Sequence, residues 1–82
     1  MRMEQIQKAY RAQPFHPFAL HLADGRNIRV EHPEFMALSP TGRSVLVIQP
    51  DGGYEVVDVL LVTTIKVTNG AQTPEDDRTN DN

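Results

Sequence analysis

The chain has 82 residues, a formal net charge of -3 and no cysteine. The missing thiols exclude disulfides, zinc–thiolate and iron–sulfur sites, and thiol catalysis. A chain of this length makes one small domain, which buries only about 60–65% of its unfolded surface. Self-association is then a cheap way to bury more.

Residues 1–13, "MRMEQIQKAYRAQ", contain no apolar run of the kind a signal peptide needs. No stretch of the chain approaches the roughly 20 apolar residues of a membrane span. A cytoplasmic protein without membrane contact is expected. Met3, Ile6, Ala9 and Tyr10 recur at helical spacing, with Glu4, Gln5, Lys8 and Arg11 between them. That pattern predicts a short amphipathic helix, ended before Pro14. Phe15 and Phe18 in "PFHPF" then pin the helix to the sheet.

"FALHLADGRNIRV", residues 18–30, alternates apolar and polar on both sides of Asp24-Gly25. A two-residue loop would set Leu20 opposite Arg29 and Leu22 opposite Asn27. A three-residue loop, Ala23-Asp24-Gly25, sets Leu20 opposite Ile28 and Phe18 opposite Val30. The apolar faces coincide only in the second case. Such a loop ends on a left-handed residue, and Gly25 occupies that place.

"EHPEFMALSPTGR", residues 31–43, breaks the alternation. Pro33 suits the start of a helical turn. Phe35 and Leu38 are expected to point inward, before a tight turn at residues 39–42. "SVLVIQ", residues 44–49, is a strand apolar on both faces, turned by "PDGG". "YEVVDVLLVTTIKV", residues 54–67, is too long to run straight in a small sheet and is expected to bend near residues 59–62. Asp58 interrupts its apolar run, and a capping contact at the bend explains it. Residues 68–82 hold Glu75, Asp76, Asp77 and Asp81 and no large apolar side chain. They are expected to form a disordered acidic tail, leaving residues 1–67 as one nearly neutral domain.

The elements predict a mainly β domain with an N-terminal α-helix. Its expected form is a small five-stranded SH3-like or Sm-like barrel, or a strongly bent antiparallel sheet. The layout resembles the bacterial Sm-like RNA chaperones. "FALHLADGRNIRV" stands where they carry a strand–Asn/Asp-Gly–strand hairpin, and "LLVTTIKV" where they carry a closing strand. Two marks of that family are absent. "VEHPEF" stands where a bent second strand has glycine, and "VVDVLL" where a Lys-His pair contacts RNA. The segments "PFHPF", "LADGR", "HPEF", "SPTGR" and "LLVTTI" together also resemble a group of short bacterial proteins; that likeness implies no activity.

No catalytic residue and no cofactor is expected. His21, His32 and Glu34 are the one ligand set near the first hairpin, but strand parity puts the two histidines on opposite faces, so no metal is expected either. Asp24 and Asp51 have sufficient roles as turn residues. "PDGGYE" lacks the Lys-Ser/Thr of a phosphate loop. Arg26, Arg29 and Arg43, with His21, form a candidate strip for nucleic acid or another ligand. Strand parity assigns Leu46, Ile48, Val57 and Val59 to the interior. Val45, Val47, Val56, Leu60 and Val62 are then left over as a candidate self-association face. The expected function is a non-catalytic protein-interaction module that forms homo-oligomers, with any other protein partner not named by the sequence. The alternative is an Sm-like RNA-binding protein.

Overall fold

The computed structural model describes residues 1–68. The expected tail therefore lies, apart from Thr68, outside the described residues. Thr68 itself still donates its backbone N–H to Pro17 at 2.8 Å.

Helix α1 spans Met3–Tyr10. It begins with the Arg2 N–H held by Gln5 Oε1 at 3.2 Å, which satisfies one donor at the helix start. Glu4 in the first turn and Lys8 in the last suit the helix dipole. Ile6 is wholly buried, with Met3, Ala9 and Tyr10 packed around it. A helix of this length is marginal alone, so this docking holds it in place.

Strands β1 (Phe18–Leu22) and β2 (Asn27–Val30) form the first hairpin. Phe18 pairs with Val30 and Leu20 with Ile28, as the three-residue loop requires. The loop closes through Gly25 N–H to Leu22 O and Leu22 N–H to Arg26 O, both at 2.9 Å. Gly25 has φ 94°, the left-handed conformation the loop needs.

The next segment differs from expectation. Pro33–Phe35 forms one 3-10 turn with proline at its start. Phe35 is 37% exposed, its ring edge-on to His32 at 5.5 Å. Met36 is buried in its place, because it opens β3 (Met36–Leu38) opposite Val47 on the inner face. Leu38 is partly buried against the core, as expected.

Strands β4 (Ser44–Ile48) and β5 (Tyr54–Asp58) form a second hairpin with the same loop chemistry as the first. Gly52 N–H donates to Gln49 O at 3.0 Å and Gln49 N–H to Gly53 O at 2.7 Å, with Gly52 at φ 93°. Both loops also carry an aspartate that accepts from the N–H two residues on, Asp24 from Arg26 and Asp51 from Gly53. This loop sets Val45 opposite Val57 and Leu46 opposite Val56.

The long final segment breaks where a bend was expected. Val59–Leu61 is a 3-10 turn, and Asp58 caps it by accepting from Leu60 N–H at 2.9 Å. The chain then enters β6 (Val62–Val67), which pairs with β1 instead of β4. Leu22 faces Val62 but His21 faces Thr64, so Thr63 is the extra residue of a bulge. Its hydroxyl donates to His21 O at 3.1 Å.

Among the described residues the fold is thus mainly β, with one N-terminal helix and two three-stranded antiparallel sheets ordered β2-β1-β6 and β3-β4-β5. Six strands stand where five were expected, and they form no closed barrel. The physical reason is that 3-10 turns at Pro33–Phe35 and Val59–Leu61 separate β2 from β3 and β5 from β6, so that each pair falls in different sheets whose edges are open among the described residues. The core lies between the sheets and under α1, and among the described residues every buried side chain is apolar.

Nothing lies within 4 Å of a Cβ added at Gly25, so alanine there acts through the backbone alone. Gly25→Ala is expected to destabilise by about 1 kcal/mol, from Cβ strain in the left-handed region. Equilibrium unfolding in urea measures this, and unchanged stability would contradict the loop assignment.

Candidate functional site

The outer face of the second sheet follows from its two registers. Ala37, Leu46 and Val56 lie side by side across the three strands, with Ile48 beside Tyr54 on the next outward row. None of these side chains carries a charge. Tyr54 is 67% and Val56 64% exposed, and Leu46 is half-buried. Beyond the end of β5, Leu60 is 80% exposed.

The five residues predicted to make a self-association face are split by the structure. Val45, Val47 and Val62 are buried in the core, whereas Val56 and Leu60 are exposed. Leu46 and Ile48, predicted to be interior, lie on the outer face instead, with Ile48 exposed. The physical reason is the Gln49–Gly53 closure of the second loop. It gives an odd loop, so Val45 shares the face of Val57 and Leu46 that of Val56. Val62 turns inward because the bulge at Thr63 reverses the parity of β6 ahead of Ile65. Leu46, Ile48 and Tyr54 were the outer residues that strand parity missed. The signal for them was "PDGG", which repeats the Asp-Gly turn of "ADGR".

The basic strip is also divided. Arg29 pairs with Ala19 and, across β1, Lys66 stands on the other side, while His21 sits between Asn27 and Thr64. These residues share the outer face of the first sheet, since Ile28 and Val30 point into the core. Arg29 is ion-paired with Glu31. Arg26 leaves this face for the hairpin tip, where it binds Asp24 at 3.0 Å and Glu55 at 2.8 Å. Arg43 stands in the β3–β4 turn, near the far end of β5, with its carbonyl accepting from Val59 N–H at 2.8 Å. Two of the three arginines are therefore matched by carboxylates.

Arg43 lines a concavity of about 800 Å³ between the start of α1 and the Val59–Leu61 turn. Met1, Met3 and Leu60 supply apolar walls, and Asp58 and Glu4 carboxylates. The amino terminus contacts Val59 O at 3.4 Å on this side. Among the described residues no group of three or more histidines or carboxylates is arranged to hold a metal ion. No helix among them is long and apolar enough to cross a membrane. Comparison with protein-family models, with curated proteins and with solved structures finds no match.

Asp24 is held below the ordinary carboxylate range, chiefly by the Arg26 backbone N–H and further by its guanidinium. A lowered folded pKa stabilises the fold above the ordinary range, and that contribution is lost as pH falls through the lowered value. Asp24→Asn is therefore expected to cost stability at neutral pH and progressively less toward pH ~3. Thermal midpoints of both proteins across that range measure it. A constant difference at every pH would contradict the Asp24–Arg26 linkage.

Proposed function

We propose that the chain is a small non-catalytic interaction module that associates with copies of itself through its β3-β4-β5 sheet. The observation that carries this reading is the exposure of Tyr54 and Val56 beside Leu46 and Ile48 on a sheet face whose one charge, Asp58, stands at the end of β5. Contiguous apolar surface of this kind marks interfaces more often than idle surface. A second copy presents the same uncharged patch, and a two-fold arrangement uses it twice. The order of elements supports an SH3-like relationship, with β2 and β3 as halves of one strand interrupted at residues 31–35.

The Sm-like RNA-binding reading draws on His21, Arg29 and Lys66 on the outer face of the first sheet. It has less support, because Arg29 is taken by Glu31 and Arg26 by Asp24 and Glu55. Few phosphate contacts remain available, and affinity for nucleic acid scales with that number.

Sedimentation equilibrium across the micromolar range tests the proposal. The wild type is expected to populate a dimer or small ring. Val56→Asp is expected to weaken association at least tenfold while matching the wild-type thermal midpoint at concentrations below association, since Val56 is largely exposed in the single chain. A wild type that stays monomeric throughout overturns the proposal. Tight RNA binding at physiological salt by a monomer favours the alternative.

A further inference from the structure

The backbone of β5 shows how a second copy can attach. Among the described residues β5 is bonded to β4 alone and forms an edge of its sheet. Hydrogen-bonded pairs alternate along an antiparallel ladder. The bonds at Gln49/Gly53 and Arg43/Val59 fix the phase of that alternation. Glu55 and Val57 therefore bond to β4, and the N–H and C=O groups of Tyr54, Val56 and Asp58 point away from it.

Sheet edges are normally blunted by proline, charged side chains (lysine above all), bulges or short length. The other edges have such devices. β3 has three residues and lies between Pro33 and Pro40, β2 has four and carries Arg29, and β6 carries Lys66 and the Thr63 bulge. β5 has five residues with no proline, lysine or bulge. Its two charges are engaged elsewhere: Glu55 is bound by Arg26 at 2.8 Å, and Asp58 accepts from Leu60 N–H at 2.9 Å.

We propose that two copies of the chain pair their β5 edges antiparallel about a two-fold axis through Val56, joining the two β3-β4-β5 sheets into one. This rests on the self-association reading above and assigns the contact to the edge of that sheet, where Val56 and Tyr54 stand, leaving Ala37, Leu46 and Ile48 outside it. Opposed residues in such a pair must share a face, so the axis passes through a residue and not between two. An axis through Glu55 sets one carboxylate against another, which is unfavourable. An axis through Val57 leaves Tyr54 beyond the end of the pairing. An axis through Val56 opposes Val56 to Val56 and Tyr54 to Asp58 on both sides, with Glu55 against Val57. That uses all three outward-pointing residues of each edge and forms about six backbone bonds. No like charges are opposed. The Tyr54 hydroxyl and ring of one copy come to the end of β5 where Asp58, Leu60 and Arg43 line the concavity of the other.

The chain has no cysteine, so single cysteines report geometry without background. Hydrogen-bonded antiparallel neighbours lie about 5.5 Å apart at Cα, within disulfide reach. Under dissolved oxygen as oxidant, Val56→Cys is expected to give a disulfide dimer at a rate independent of protein concentration wherever sedimentation shows the dimer. Tyr54→Cys is not, because the two Tyr54 positions stand about 13 Å apart along the pairing. Ile48→Cys lies one strand away from the axis and is also expected to stay reduced. Val56→Lys, which opposes two ammonium groups across the axis, is expected to be a folded monomer. A dimer in which Ile48→Cys cross-links and Val56→Cys does not overturns this geometry in favour of stacked faces, and leaves the self-association reading intact. A strictly monomeric wild type overturns both.

Discussion

The constraint on which the rest depends is that one continuous segment must serve two sheets. Residues 54–67 begin beside β4 and end beside β1. A straight strand cannot do this in a molecule so small. The chain breaks at Asp58, whose carboxylate caps the Val59–Leu61 turn through Leu60 N–H. That turn buries Val59 and leaves Leu60 and Leu61 outside. Because the turn takes the chain across to β1, the core closes between the sheets over Val57, Val59 and Val62. Because β6 leaves for the other sheet, β5 is an edge among the described residues.

The two hairpins share one solution to the pairing problem. Each uses a three-residue loop with an aspartate binding forward and a glycine at positive φ. Odd loops bring residues of like parity together, so each hairpin collects its apolar side chains on one face. In the first hairpin the opposite face is polar, with Ala19, His21, Asn27 and Arg29. In the second it is mostly apolar, with Leu46, Ile48, Tyr54 and Val56, and with Ser44 and Asp58 only at its end. The two sheets are built alike, and differ in what they show to the outside. That difference is why the interaction proposals fall on the second sheet.

The first hairpin, the helix, the bend and the role of Asp58 were legible in the sequence, because each rests on local chemistry. Gly25 and the alternation about it allow one register, and an aspartate inside an apolar run has few uses apart from a cap. The phase of β4 was not legible from its own residues. "SVLVI" is apolar on both faces, so it carries no record of which side is inside. That information sat in the neighbouring "PDGG" loop, through the register it imposes. Phe35 was misplaced because aromatic size argues for burial, whereas its position at the end of the Pro33–Phe35 turn points it outward. The arginine strip dissolved because pairing with Asp24, Glu31 and Glu55 is a matter of tertiary contact and close local geometry. The Thr63 bulge left no mark in the alternation, since Thr63 and Thr64 are alike.

If the break at Asp58 organises the molecule, its cap must contribute measurably to stability. Equilibrium unfolding of Asp58→Ala and Asp58→Asn against the wild type measures this directly. The alanine variant is expected to lose about 1 kcal/mol, as for the loss of a capping side chain, and asparagine, which keeps an acceptor oxygen, clearly less. An alanine variant as stable as the wild type would contradict the central role given to this turn.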